Sequence, residues 1–450
     1  MNSIQQVAVE FVQKLLSLDI TRGLSAFMEE GYKEFCEYFT QLAALRINEV
    51  DECIKDNPAI RKGWKVLRCG DSRTLLTEHG EVQYERRYYK NEKMSSYAYL
   101  ADKVIGVENY ERIERSLGAK ICKVATEQSY ETSSKECCKG KVSRQAVKNK
   151  TRRVHVKELK PEKQRTDVKI LHIQADEDHV ARQDGKKGAE VRLVAIHEPI
   201  QRIGKRTYLP NKYTMVSYQE NPEDFWIRVA NEISARYGDR GDLTVYLHGD
   251  GASWIKSGLE WIKNSKYVLD KYHLVKYMRP VCNVKTEYYD YLWDALKSNN
   301  YVRLKNLVEC LINDEVCNEE TGKAFLDYAK KNWEGIKIWF NDPESGSSCA
   351  EGLVSHTLSD RLSSRPKGWS DEGIRTISNL RVYIKNGGRI GEDDLRKQKE
   401  SKGLTQMAFK VLKKKMLGFE PMPSEALKVT KRGTNLYWTL QALRSGGMVI

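Results

Sequence analysis

The spacing of apolar and polar positions changes several times along the chain, and each change marks a different element. Residues 1 to 60, beginning MNSIQQVAVEFVQKLLSLD, space their apolar side chains as amphipathic helices do. RTLLTEHGEVQYERRYYK (73 to 90) instead alternates residue types about His79 and Gly80, which predicts a β-hairpin. Helical spacing returns in ERIERSLGAKICKVATEQSY (111 to 130), at Ile113, Leu117, Ile121 and Ala125. After a short polar break, GKVSRQAVKNKTRRVHVKELK offers Ser143 as an N-cap, with Ala146 and Val147 free to pack inward. Helix, turn and second helix is the expected arrangement, and only residues 131 to 167 resemble a linker.

From Val168 the period becomes that of strands. DVKILHIQADEDHVA is an apolar strand ending in acids, AEVRLVAIHEPI a second, and KRTYLPNKYTMVSYQ a third. NPEDFWIRVANEISARYG (221 to 238) starts with Pro222 and two acids, as a helix amino terminus does, and puts Phe225, Val229 and Ile233 on one face. DLTVYLHGDGASWIK returns to a strand that stops at Asp250 between two glycines; a short helix near Ser257 to Ile262 and the strand KYVLD follow. The order β-β-β-α-β-α-β matches a ribonuclease-H-like fold, whose first and fourth strands are adjacent and parallel. The expected class is α/β: a mixed sheet with an α-helical insertion, preceded by a mainly helical region with a β-hairpin and helix-turn-helix. The expected segments are 1–110, helical with the hairpin; 111–160, DNA-binding; 165–275, first part of the core; 276–342, the insertion; 343–395, last part of the core; and 396–450, basic and helical.

Charge sharpens this picture. The chain holds 76 basic and 62 acidic residues among 450, a net charge of +14. Between Lys139 and Val168 eleven Lys or Arg stand against Glu158, Glu162 and Asp167, a local net of +8. Such a segment binds polyanions through counterion release, although a solvated basic linker has the same composition. Arg144, Lys148, Arg152 and Arg153 are the expected DNA contacts of the second helix, placed as in a recognition helix in the major groove. No apolar run is long enough for a membrane span, the amino terminus does not read as a signal peptide, and ten scattered cysteines contain no CxxC pair. A reduced, cytoplasmic protein that touches no membrane is expected.

Candidate chemistry follows from the strand order. Asp176 and Asp250 would end two neighbouring strands, and paired carboxylates repel unless cations lie between them. Two magnesium ions, or manganese, are the expected cofactor, since hard oxygen ligands and phosphate suit them. Glu351, on a helix beginning near Cys349, is the third acid, and its distance from Asp250 demands the helical insertion. Asp178 stands on the same strand face as Asp176, so the first ligand is one of the two, with Asp176 nearer the apolar strand.

LLTEHGEVQYERRYYKN, ADEDHVA, LHGDGASWIK, LDKYHLVKY and CAEGLVSHTLSDRLSSRPKGWS together resemble the ISLre-type insertion-sequence transposases, a branch of the DDE transposases distantly related to the Mutator superfamily. The resemblance covers most of residues 60 to 390. It implies metal-dependent cleavage and strand transfer at element ends, with the acid triad on Asp176, Asp250 and Glu351. It further implies double-stranded DNA as partner, both terminal repeats and target, and a homo-oligomer of at least two copies. Asp270-Lys271-Tyr272-His273 looks like the (C/D)xxH motif of Mutator-type enzymes, which implies a phosphate-contacting or supporting role for His273.

Plainer roles stand beside these. Asp250 suits a turn, Glu351 a helix start, and His273 a partly buried structural site. Arg361 and Arg365 suit phosphate contact or pairing with Asp360. The aromatic residues of the insertion, Trp293, Trp333, Trp339, Tyr288, Tyr289 and Tyr291, suit a helical core or platforms for splayed bases. Beside the transposase reading stand a catalytically silent, transposase-derived DNA-binding protein and a nuclease of the same fold.

Overall fold

The computed structural model describes residues 3–185, 188–204, 206–282, 286–365, 367–395 and 406–416. Two units contain these residues: Met1–Lys123, Tyr130–Lys150 and Gly391 onward form the first, and Val124–Ser129 with Thr151–Ile390 the second.

The first unit begins with α1 (Ser3–Leu16) and the long α2 (Leu24–Asp56), which pack together. β1 (Trp64–Thr77) and β2 (Gly80–Asn91) form the expected hairpin, with Thr77 opposite Gly80, and β3 (Ser96–Tyr99) adds a third strand along β2. α3 (Leu100–Val104) follows directly. Asp102 is 1% exposed and fully engaged, by ion pairs to Arg73 and Arg86 and by the Tyr84 hydroxyl, which donates at 2.7 Å. A buried carboxylate needs that degree of compensation, and losing one partner would leave a charge in the interior.

Next come α4 (Arg115–Glu127), α5 (Tyr130–Cys138) and α6 (Arg144–Thr151). The Ser143 hydroxyl accepts from the Ala146 amide at 3.2 Å, so the expected cap is formed, and Val147 is buried. α5 departs from the sequence reading, which treated these residues as linker. Its inward face is Ser133, Ser134 and Cys138, whose small polar side chains do not register as an apolar stripe. Ile113 departs too: it pairs with Leu76 in an isolated bridge instead of starting the helix.

The second unit is built on a five-stranded sheet. Its strands are β4 (Ile170–Val180), β5 (Ala189–His197), β8 (Tyr213–Tyr218), β9 (Thr244–Gly249) and β10 (Ser265–Leu269); β6 (Gln201–Ile203) and β7 (Arg206–Tyr208) form a separate hairpin between β5 and β8. KRTYLPNKYTMVSYQ therefore supplies a hairpin arm as well as the third strand. The sheet order is β10-β9-β4-β5-β8, with β4 parallel to β9 and antiparallel to β5. This is the expected ribonuclease-H-like mixed sheet.

α7 (Pro222–Tyr237) is capped by Asn221, opens with Pro222, Glu223 and Asp224, and buries Phe225, Trp226, Val229 and Ile233. Each such side chain contributes about 1.5–3 kcal/mol on burial, so this one face fixes α7 on the sheet. The short α8 (Ser253–Lys256) and α9 (Gly258–Trp261) lead to β10, and α10 (Lys271–Met278) follows it. The insertion consists of α11 (Glu287–Lys297), α12 (Tyr301–Asn313), α13 (Glu319–Lys331) and α14 (Trp333–Asn341). It shares one hydrophobic core with Leu171, Ile173 and Ala175 of β4; Tyr289, Trp293, Trp333 and Trp339 pack against that core, while Tyr288 and Tyr291 are exposed.

α15 (Ala350–Val354) runs through a π-turn at Ser355–Ser359 into α16 (Asp360–Leu362), and α17 (Asp371–Lys385) covers β8. α18 (Gln406–Met416) belongs to the first unit, where Arg46 donates to the Met416 carbonyl at 3.0 Å. The remainder of the basic carboxyl-terminal region expected over 396–450 lies outside the described residues. Among the described residues no helix is long and apolar enough to cross a membrane.

Candidate active site on the central strands

The parallel register of β4 with β9 runs from Ile170 opposite Thr244 to Gln174 opposite His248. Continued by two residues, it sets Asp250 beside Asp176, as the sequence order requires. β9 stops there in a turn that is sterically closed to side chains on both sides of the acid. A Cβ on Gly249 would lie 2.8 Å from Ile255, and one on Gly251, at φ +100°, would lie 2.4 Å from the Asn332 side chain. The Ala252 amide donates to the Asp250 carboxylate at 2.9 Å, and the Tyr328 hydroxyl donates to the Asp250 carbonyl at 2.6 Å. Asp250 thus makes the local turn that the plainer reading foresaw, and also faces its neighbour across the strands.

Electrostatics ties the two acids together. Burial pushes the Asp176 carboxyl up to about 6; the Glu177 amide opposes this, and the Asp250 charge adds to it. The adjoining Glu177 is raised as well, by burial against the pull of the Trp254 indole, which donates to it, and by Asp250. Asp178 is occupied differently: it is 7% exposed and accepts from the Ser363 hydroxyl at 2.7 Å. Of the two candidate first ligands, Asp176 is therefore the one that shares its field with Asp250.

His273 also faces this pair. Asp270 caps α10 by accepting from the Tyr272 amide at 2.8 Å, and its other carboxylate oxygen lies 3.4 Å from His273 Nδ1, an ion-pair distance. Asp270 raises the imidazole against burial, and Asp250 and Asp176 raise it further. The DxxH spacing thus holds an imidazole whose protonation the acids favour beside Asp176 and Asp250.

Glu351 lies in the first turn of α15, with its side chain exposed. The start of that helix is pinned to β4: the Cys349 amide donates to Gln174 Oε1 at 3.0 Å, two residues before Asp176 on the same strand face. Cys349 is half-buried, and burial pushes its thiol up to about 11, which suits an inert packing role. Among the described residues no three His, Cys, Asp or Glu are arranged to hold a metal ion. Asp176 and Asp250 nevertheless fit a divalent cation: they are hard oxygen donors, and burial with the Asp250 charge disfavours ionisation of Asp176, a cost that a cation removes. Magnesium commonly takes one or two protein carboxylates and completes its shell with water and substrate phosphate.

A buried polar layer lies beneath, which the sequence reading passed over. His172 Nδ1 is 3.1 Å from His248 Nε2, His172 stacks on His197 with centroids 5.4 Å apart, and His197 Nε2 is 3.0 Å from Gln174 Nε2. Burial holds His172 down to about 4 and His248 well below its ordinary value. The signal was present in HIQAD, where polar residues at 172, 174 and 176 alternate with apolar ones, although the strand was read as simply apolar.

The expected DNA contacts are distributed unevenly. Arg144 and Arg153 are exposed and Lys148 half-exposed. Arg152 and Arg153 lie beyond the end of α6, and Arg152 is 2.6 Å from Glu372 and donates to the Ser370 hydroxyl at 2.7 Å. Arg361 is a correction to the surface role expected for it: it is 3% exposed, donates to the Ala125 carbonyl at 3.1 Å and lies 4.7 Å over the Trp369 ring. A guanidinium so enclosed is fixed by packing. Arg365 is exposed.

The fold and the acid pair define a ribonuclease-H-like α/β protein with a helical insertion before its last core helices. The chain belongs to UPF0236, an uncharacterised protein family whose model matches residues 24–399. It is similar to a UPF0236 protein of Caldanaerobacter subterraneus subsp. tengcongensis whose name joins four loci, at 39% identity over 86% of this chain and 81% of that protein. A second relative from the same strain, whose name joins eleven loci, is 38% identical over the same shares. A UPF0236 protein of Streptococcus gallolyticus, named for the vanSb 3′ region, is 25% identical over 82% of this chain and 85% of its own length.

Proposed function

We propose that the chain is a DDE-type transposase that binds the ends of an insertion sequence as a homo-oligomer and cleaves and joins DNA phosphodiesters. The observation that carries this reading is the Asp176–Asp250 pair, Asp176 within β4 and Asp250 just past the end of β9, side by side where the parallel pairing of the two strands stops. The loci joined in the relatives' names add support, because repeated copies in one genome are what a mobile element leaves behind.

Asp176 and Asp250 are the residues that would hold magnesium or manganese, with Glu351 as the third acid once DNA is seated. When bound, two such ions activate water or a 3′-hydroxyl and neutralise charge on the leaving oxygen. His273, whose protonation Asp270 favours, would contact a phosphate beside the acids. The clamped turn at 249–251 holds the Asp250 backbone in place, so positioning, rather than rearrangement, supplies much of the catalysis.

A catalytically silent, transposase-derived DNA-binding protein is the second reading, and the exposed Glu351, in no three-residue metal cluster among the described residues, is the observation on its side. A nicking assay on DNA carrying the element ends separates the two. Asp250→Ala should abolish magnesium-dependent cleavage and leave salt-sensitive binding intact; unchanged cleavage would remove Asp250 from the site, and no cleavage by the wild-type chain would favour the silent protein.

A further inference from the structure

We propose that a groove in the first unit, on the face of its three-stranded sheet, binds single-stranded DNA by stacking bases on Tyr97 and Tyr110. The groove has a volume of about 1050 Å³ and runs along β1–β3 to Ser143 and Ala146 at the start of α6. It is at the upper limit of the roughly 300–1,000 Å³ typical of small-molecule sites. Its floor alternates cations and rings. The Arg68 guanidinium lies 4.8 Å from the Tyr88 centroid, Arg86 lies 3.6 Å over Tyr99, and Tyr88 stacks on Tyr97 with centroids 5.9 Å apart and planes 13° from parallel.

Carboxylates already take up part of this charge, Asp102 being shared between Arg86 and Arg73. Arg68 donates to Asp71 at 2.9 Å, Tyr99 donates to the same carboxylate at 2.6 Å, and Arg86 pairs with the buried Asp102. Their effect is to stiffen the tyrosines into a platform. What the groove offers a ligand is therefore mainly aromatic: Tyr97 is 52% exposed and Tyr110 97%, the latter held at φ +63°, a conformation rare for so bulky a residue. The exposed Arg112 adds charge, and Lys141 adds more through a surface pair with Glu81 that water and salt weaken.

Flat exposed rings with a few cations suit a strand whose bases are unstacked, because every base has a face to stack and in a duplex the neighbouring base pairs already cover those faces. Cleavage at element ends would generate such strands, and only the choice of DNA over another polyanion rests on the proposed function.

The test uses the full-length chain in EDTA, with fluorescence anisotropy of a labelled oligothymidylate and a blunt duplex, each of about 20 units, longer than a single platform covers. Tyr97→Ala and Tyr110→Ala should each weaken oligothymidylate binding about ten-fold, Tyr→Phe at either position should restore it, and duplex affinity should change less than two-fold. Wild-type affinity in the alanine variants, equal losses on duplex and single strand, or failure of phenylalanine to rescue would overturn the proposal. Absence of metal-dependent nicking with this binding pattern intact would defeat the catalytic reading and leave the groove standing.

Discussion

Asp176→Asn should stabilise the metal-free protein, although it removes a proposed catalytic group. A carboxyl that titrates at about 6 in place of 3.8 disfavours its charged form by about 3 kcal/mol. Because the folded-state value is the raised one, the protein holds its extra proton and its stability below pH 3.8 and loses that stability as pH climbs through 6. Asparagine carries no charge and can still accept the Glu177 amide bond, now 2.9 Å long. At pH 7.5 in EDTA the variant should therefore melt about 6–12 °C higher, since about 1 kcal/mol moves the midpoint by about 2–4 °C in a unit of this size. Melting is followed by tryptophan fluorescence, because Trp226 and Trp254 lie in the core of the second unit. The gain should vanish near pH 4. Magnesium should raise the wild-type midpoint and leave the variant unmoved. Equal midpoints at pH 7.5, or equal magnesium responses, would refute the claim that burial, with the Asp250 charge added to it, disfavours the Asp176 carboxylate.

Other expectations follow from the same geometry. Gly251→Ala, which places a Cβ against Asn332 at a positive φ, should cost about 1–3 kcal/mol and lower the melting midpoint. Asp270→Asn keeps the cap on α10 and removes its charge, so His273 should lose its proton more readily and the alkaline limb of the cleavage profile should move to lower pH. His172, depressed from 6.5 to about 4, stabilises the fold above pH 6.5, and that contribution should drain away as pH falls through 4; acid-unfolding curves of His172→Gln should be flatter across this window.

Much of the second unit was legible because each element there carries a local signal that agrees with its packing. NPED announces α7, the Gly-Asp-Gly stop ends β9, and the apolar strands alternate with helical runs. The acid pair was legible for the same reason: a strand order fixes which carboxylates become neighbours, with no side-chain geometry needed. What escaped were features made by tertiary context. α5 is helical on an inward face of serines, a pattern that hydrophobic periodicity cannot see. The buried layer around His172 and His197 depends on three strands converging, and no single segment shows it. Arg361 looked like a phosphate ligand because charge is read as exposure, whereas its stem and guanidinium are enclosed by Trp369 and the Ala125 carbonyl.

The clamp on Asp250 has a consequence for how such proteins can diversify. Tyr328, 78 positions downstream, grips the acid's carbonyl, and Asn332 fills the space that Gly251 leaves open. Grafting a foreign helical block between β10 and α15 would discard both grips unless a phenol and an amide at those two positions travelled with it. The intervening helices are in this sense part of the acid's scaffolding, and chimeras should have to keep Tyr328 and Asn332, at the end of α13, as well as the buried faces that share the core of the sheet.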